Sequence, residues 1–237
     1  MDLDAVNNRL GEVAYFLESG DFEKAEDRLN EVHSLVFKTD NNELYFRYYL
    51  IRADLYKSTG RRELNLNSWD EMERYCETDI QKCIRLSYKA QDYLMLKRNE
   101  EAFNCAEAAL MMAKDLDVQN SLLALQIKGE CFKRKKDWSS AIEMYSSIAS
   151  ISEKGDNKAF VAKYHAKIAI MLYEMGYKRL AIDRLFEAEE HANALGNIEL
   201  VQRIAIWRAD LYRDTGENEK ALGLLKVIAG FNNEYYF

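Results

Sequence analysis

Histidines, cysteines and paired charges are the residues from which this chain could build chemistry, and only the charges show a pattern. His33, His165 and His191 are far apart in the sequence and are read as lying in different structural units. Cys76, Cys83, Cys105 and Cys131 include no C-x-x-C pair, and no histidine sits at ligand spacing from any of them, so a zinc site is not expected. They read as small buried hydrophobes in a reducing compartment. There is no glycine-rich phosphate loop, no G-x-S-x-G and no H-E-x-x-H. The expectation is a non-enzymatic chain with no catalytic residue, no metal and no cofactor.

The charges recur as acid-x-x-base: Asp54/Lys57, Glu130/Lys133 and Asp210/Arg213. Two readings compete. Each pair can support its own helix as an i,i+3 ion pair, worth a few tenths of a kcal/mol. Alternatively, the pairs form a ladder of alternating charge that grips a polar or mixed-charge peptide.

The elements that hold these residues follow from composition. The chain contains no proline, and only ten of its 237 residues are glycine. Average usage would supply about a dozen prolines. Proline breaks helix interiors and glycine weakens them, whereas sheet proteins spend both on turns. Nearly continuous helix with short turns is predicted. A net charge of −7 argues against a general nucleic-acid binder, which needs a basic face. The acidic start Met1-Asp2-Leu3-Asp4 and the absence of any 18-residue apolar stretch predict neither signal peptide nor membrane span, hence a cytoplasmic protein.

The helices repeat. Residues 52–60 (RADLYKSTG) and 208–216 (RADLYRDTG) are identical at seven of nine positions. A turn followed by a helix start recurs at Gly20–Ala25, Gly176–Ala181 and Gly216–Ala221, with degenerate copies at Lys97–Ala102 and Lys136–Ala141. The copy expected near position 65 has no alanine. Before each turn a small residue marks a close helix crossing (Ala53, Ala90, Gly129, Ala169, Ala209), and a large one follows three positions later (Tyr56, Tyr93, Phe132, Leu172, Tyr212). Four residues past the alanine comes a filler on the same face: Leu29, Tyr145, Leu185, Leu225. One such helix pair cannot bury its apolar faces alone, whereas a stack can.

This pattern resembles the tetratricopeptide repeat family over about residues 5–229. The period is nearer 40 than 34 and the proline that usually closes each repeat is missing, which makes the units more similar to those of bacterial peptide-sensing regulators. The resemblance implies an all-α fold: a single α-solenoid domain over 1–237, of about six helix-turn-helix units forming a right-handed superhelix. The units fall at about 5–40, 41–78, 79–117, 118–155, 156–196 and 197–229. An aromatic tail, 230–237, either caps the last repeat or docks on another molecule, a homodimer through the C-terminal repeat being the case in view. The second unit is expected to be irregular, with a long turn over 61–68 and a short helix over 69–77. Expected N-caps are Asn41, Ser68, Thr78, Asn99, Asp117, Asp137 and Asp156.

A stacked array offers a concave wall made of first helices. Helical steps from the small residue place Arg47, Asp54, Lys57, Gln91, Gln126, Glu130, Lys133, Lys163, Tyr173, Arg203, Asp210 and Arg213 on that wall. The expected function is a protein- or peptide-binding scaffold. The alternative is a peptide-pheromone sensor of the quorum-sensing type, lacking its DNA-binding domain.

Overall fold

A computed structural model describes residues 3–113 and 118–234, and every regular element among them is helical. The α-helices are α1 (Leu3–Glu18), α2 (Phe22–Val36), α3 (Asn42–Ser58), α4 (Arg62–Met72), α5 (Asp79–Met95), α6 (Asn99–Ala113), α7 (Val118–Arg134), α8 (Trp138–Lys154), α9 (Lys158–Glu174), α10 (Lys178–Ala194), α11 (Ile198–Asp214) and α12 (Asn218–Glu234). A single 3-10 turn, Glu73–Tyr75, follows α4. Consecutive helices pack on one another, as α1 on α2, α3 on α4, α5 on α6, α9 on α10 and α11 on α12. The fold is an all-α solenoid of helical hairpins.

The repeat is set by a left-handed residue two positions past the end of each first helix. Gly20, Gly60, Lys97, Lys136, Gly176 and Gly216 have φ between 59° and 85°. Five residues later comes the position on which the second helix presses: Ala25, Asn65, Ala102, Ala141, Ala181 and Ala221, each no more than 6% exposed. Glycine takes the left-handed conformation without a Cβ clash, whereas Lys97 and Lys136 incur one. These two turns are the copies that look degenerate in sequence.

The second repeat departs from expectation. The predicted long turn over 61–68 is absent, and α4 begins at Arg62, so Ser68 lies inside a helix instead of capping one. Asn65 stands where the other repeats have alanine and is 1% exposed, and Trp69 takes the filler position at 3%. A polar residue is tolerated there because the side-chain amide of Asn65 is received by a carboxylate. Asn65 Nδ2 and Trp69 Nε1 both donate to Asp92 Oδ2 at 2.8 Å, and Arg62 Nη1 donates to Asp92 Oδ1 at 2.7 Å. Asp92 lies on α5 and is 3% exposed.

Asn41, Thr78 and Asp137 cap their helices as expected, Thr78 within a full capping box with Gln81. Asn157 caps α9, because Asp156 occupies the left-handed position before it. Asn99 is the first residue of α6, while Asp117 and the tail residues 235–237 lie outside the described residues. Helix α12 continues through the expected stop at 229 to Glu234.

The chain forms two compact units, Met1–Ile127 and Lys128–Phe237, the division falling within α7. In the first, the core is aliphatic and aromatic: Leu10, Val13, Leu29 and Val32 pack with Tyr45, Phe46, Tyr48, Tyr49, Trp69 and Met72. Phe37, Tyr45, Tyr49 and Tyr75 add a ring cluster with centroids 4.6 to 6.3 Å apart. In the second, eight of the 13 residues in the core around α9–α12 are alanine. Small side chains let helix axes approach closely. At its N-terminal side the approach demands glycine: a Cβ on Gly129 would meet the Tyr145 ring at 2.5 Å.

Candidate functional site

A hollow among the described residues lies in the second unit, between α9 and α11 with α10 beneath. It encloses about 550 Å³. Ala169, Leu185 and Leu211 form its floor, Ile170 and Trp207 its apolar walls, and Tyr173, Asp210, Arg213 and Asp214 its polar rim. The sequence explains the arrangement. Ala169 and Ala209 are the small crossing residues of α9 and α11, and the positions one and four further on, 170/173 and 210/213, turn into the hollow. Alanine in the floor leaves the space that a larger side chain would fill.

The rim is held by charge. Arg213 Nη2 donates to Asp210 Oδ1 at 2.9 Å. Tyr173 Oη donates to Asp214 Oδ2 at 3.1 Å, and Lys178 Nζ lies 2.6 Å from the same oxygen. The hydrogen bonds from Lys178 and Tyr173 keep the Asp214 carboxyl below its ordinary range. Bonding to that carboxylate raises the Tyr173 phenol. Tyr173 and Ile170 remain 36% and 41% exposed, so their free edges face solvent.

A second cluster in the same unit centres on Glu130. It accepts hydrogen bonds from Tyr145 Oη at 2.8 Å, from Lys133 Nζ at 3.2 Å and from Lys167 Nζ. Burial alone would raise this carboxyl. The Lys167 hydrogen bond and charge, with help from Tyr145 and Lys133, outweigh it and bring the pKa to about 2. Lys163 lies over the rings of Phe160 and Tyr164 at 5.4 and 5.5 Å. Burial, and then the charge of Lys167, push its amine below the ordinary lysine value.

The predicted wall residues are all at least partly exposed, and the structure gathers some of them. Tyr173, Asp210 and Arg213 meet in the hollow, and Glu130, Lys133 and Lys163 share the lysine cluster. Arg47 belongs to the first unit, where its Nη1 donates to Asn7 Oδ1 at 2.8 Å beside a smaller hollow of about 260 Å³. Asp54 and Lys57 interact electrostatically, but no hydrogen bond joins them among the described residues; burial raises the Asp54 carboxyl. The acid-x-x-base ion pair is thus made at Glu130/Lys133 and Asp210/Arg213. Gln91 and Gln126 are half-exposed on α5 and α7, and Arg203 is exposed on α11. Ile170, Trp207, Asp214 and Lys167 are not among the expected wall residues, and Tyr145 is expected only as a packing filler. Ile170 and Asp214 sit one and five residues past a crossing alanine, but only polar positions at the expected steps stood out.

His165 and His191 were expected apart, although the unit drawn at 156–196 contains both. Both belong to the α9–α10 hairpin, and their rings are 5.8 Å apart. His165 Nδ1 lies 2.7 Å from a Glu187 carboxylate oxygen, and burial keeps its imidazole below the ordinary pKa. Among the described residues no group of three or more His, Cys, Asp or Glu side chains is placed to hold a metal ion. No described helix is long and apolar enough to cross a membrane.

No protein-family model matches the sequence, and no curated protein matches it. Solved structures do. Over 98% of its length the chain is similar to the apo form of RapI, with a TM-score of 0.74 and 14% identity, covering 77% of that chain. Over 97% it is similar to a signal transduction ATPase with numerous domains, carrying a tetratricopeptide repeat sensor, from Pyrococcus horikoshii (TM-score 0.83, 16% identity); it spans only 37% of that protein. Over 99% it is similar to NprR in complex with its cognate peptide NprX (TM-score 0.60, 15% identity, 69% of that chain). The shared feature is the fold. In fold, the chain is similar to the helical arrays of these proteins.

Proposed function

We propose that this chain is a non-catalytic binding scaffold that takes a short linear peptide, or an extended segment of a protein, on the exposed faces of its first helices. The observation that carries this reading is the α9–α11 hollow. Its volume is in the range of ligand sites, its floor is apolar, and its rim presents a phenol, a guanidinium and two carboxylates. An apolar side chain fills such a floor while the rim groups bond the backbone beside it. The likeness to NprR, solved with a peptide, supports the same reading. The peptide-sensor alternative differs only in what binding triggers, and the likeness to RapI and NprR is compatible with both readings. A cytoplasmic location and one continuous array over 1–237 belong to the same proposal.

The test is a random linear-peptide library panned against the full chain, followed by calorimetric titration of the selected peptides. Ile170→Glu with Arg213→Glu is expected to weaken them by at least about tenfold, some 1.4 kcal/mol. Both side chains are exposed, so the melting temperature should hold. Peptides that bind this double variant as well as the parent chain place the site elsewhere.

A further inference from the structure

The face of α9 that walls the hollow also carries two lysines, and they are paired differently. Lys163, Lys167 and Ile170 follow at steps of four and three, which puts them on one side of the helix. Lys167 is bonded to Glu130, and so is Lys133 from α7. Lys163 makes no ion pair among the described residues. Its Nζ stands instead over the rings of Phe160 and Tyr164, and the Tyr164 ring also lies 5.6 Å from Lys167 Nζ.

The charges of this cluster do not cancel. Among the described residues, Glu130 is the carboxylate that faces three ammonium groups, Lys133, Lys163 and Lys167, and it leaves two positive charges in excess. That excess stands in a chain of net charge −7. Burial and the charge of Lys167 both disfavour the charged form of Lys163. An anion brought to its ammonium offsets both, and does so more strongly there than in open water.

We infer that the peptide taken up at the α9–α11 hollow carries a carboxylate, which docks on Lys163 while an apolar side chain fills the hollow beside Ile170. This assignment rests on peptide uptake at the hollow and narrows the class of ligand. Lys163 and Ile170 are seven residues apart, about 10.5 Å along the helix axis. A polyproline II segment rises about 3.1 Å per residue and returns to the same side every third residue. The carboxylate therefore belongs about three residues from the apolar anchor, as an Asp or Glu side chain or as the chain end. Lys163 bonds one of its oxygens, and the charge of Lys167 behind it supports the bond. A polyanion fits less well, because two excess charges are few and the rest of the acidic chain repels it.

Fluorescence anisotropy of short labelled peptide pools on the full chain tests this. Each pool fixes one leucine and randomises the other positions among uncharged residues. The first pool places glutamate about three residues to either side of the leucine, and its control places glutamine there, both capped at their ends. A third keeps the glutamine but ends in a free carboxylate about three residues past the leucine. The glutamate pool, the free-end pool or both should bind the parent chain at least about tenfold tighter than the control, and the pool that gains identifies the source of the carboxylate. Lys163→Gln should abolish the gain, and Lys163→Arg, which keeps the charge, should retain most of it. The position is exposed, so helical circular dichroism should not change in either variant. Equal affinity of all three pools overturns the carboxylate assignment, as does a gain that survives Lys163→Gln. If the control pool still binds, and weakens in the Ile170→Glu, Arg213→Glu variant, peptide uptake at the hollow stands without it. If no pool binds, both fall.

Discussion

Each unit of the molecule has, among the described residues, a carboxylate with three donors, and the two are used differently. Asp92 in the first unit is enclosed, and all three of its donors, Arg62, Asn65 and Trp69, come from α4. Glu130 in the second draws its donors from three helices, Lys133 on α7, Tyr145 on α8 and Lys167 on α9, and its side chain keeps 18% of its surface. Asp92 substitutes for packing. It replaces the alanine contact that the second repeat lacks. Glu130 is an addition to packing that is already complete, since Gly129 and Tyr145 sit in contact beside it. The difference teaches where polarity in a helical array is structural and where it is available to a partner.

The sharpest way to break that comparison is to remove each carboxylate. Asp92→Ala strands Asn65 and Trp69 donors in a region with little access to water. The expected cost is about 3 kcal/mol, since an abandoned buried donor or charge pays its full desolvation. Glu130→Ala frees two lysines and a phenol at a partly open site, and should cost about 1 kcal/mol. Urea denaturation of the two variants under identical conditions measures both. Equal losses would mean that the two hubs serve the same purpose.

Acid sharpens the same contrast. The folded pKa of Glu130, about 2, is below its ordinary value of 4.5. Its contribution is therefore complete above pH 4.5 and is lost as the pH falls from there towards 2. Glu130→Gln removes that titration while keeping the shape of the side chain. The fall in melting temperature between those pH values should be shallower in the variant than in the parent. Parallel curves would show that the Lys167 and Lys133 contacts carry no net stability.

Most of the repeat was legible before the structure, because it is written in contacts between residues three to five apart. The crossing residues, the alanine after the turn and its filler are all of this kind. The second repeat was misread for the opposite reason. Asn65 is acceptable only because Asp92, 27 residues later, receives its amide, and nothing local to 61–68 announces that partner. The hollow was half legible. Helical steps from Ala169 and Ala209 reach Tyr173, Asp210 and Arg213, whose polarity makes them conspicuous on a helix. Ile170 and Trp207 line the same hollow, but an apolar residue on an open wall has the same identity as one in a core. The bond from Lys167 to Glu130 spans 37 residues and depends on the stacking of neighbouring hairpins.

One feature is shared by both units and should respond equally in each. Lys97 closes α5 in the first unit and Lys136 closes α7 in the second, with φ of 62° and 59° where the other first-helix turns use glycine. A side chain with a Cβ pays about 1 kcal/mol for that conformation. Glycine removes the clash but adds freedom to the unfolded chain, which returns part of the gain. Lys97→Gly and Lys136→Gly are each expected to stabilise by about 0.5 kcal/mol. Neither lysine is joined to a carboxylate by an ion pair among the described residues, so the backbone effect stands alone. The two increments should match and should add in the double variant, because the sites lie in separate units. A gain at one turn and a loss at the other would show that the hairpins of the two units are closed by different forces, although their turns share one geometry.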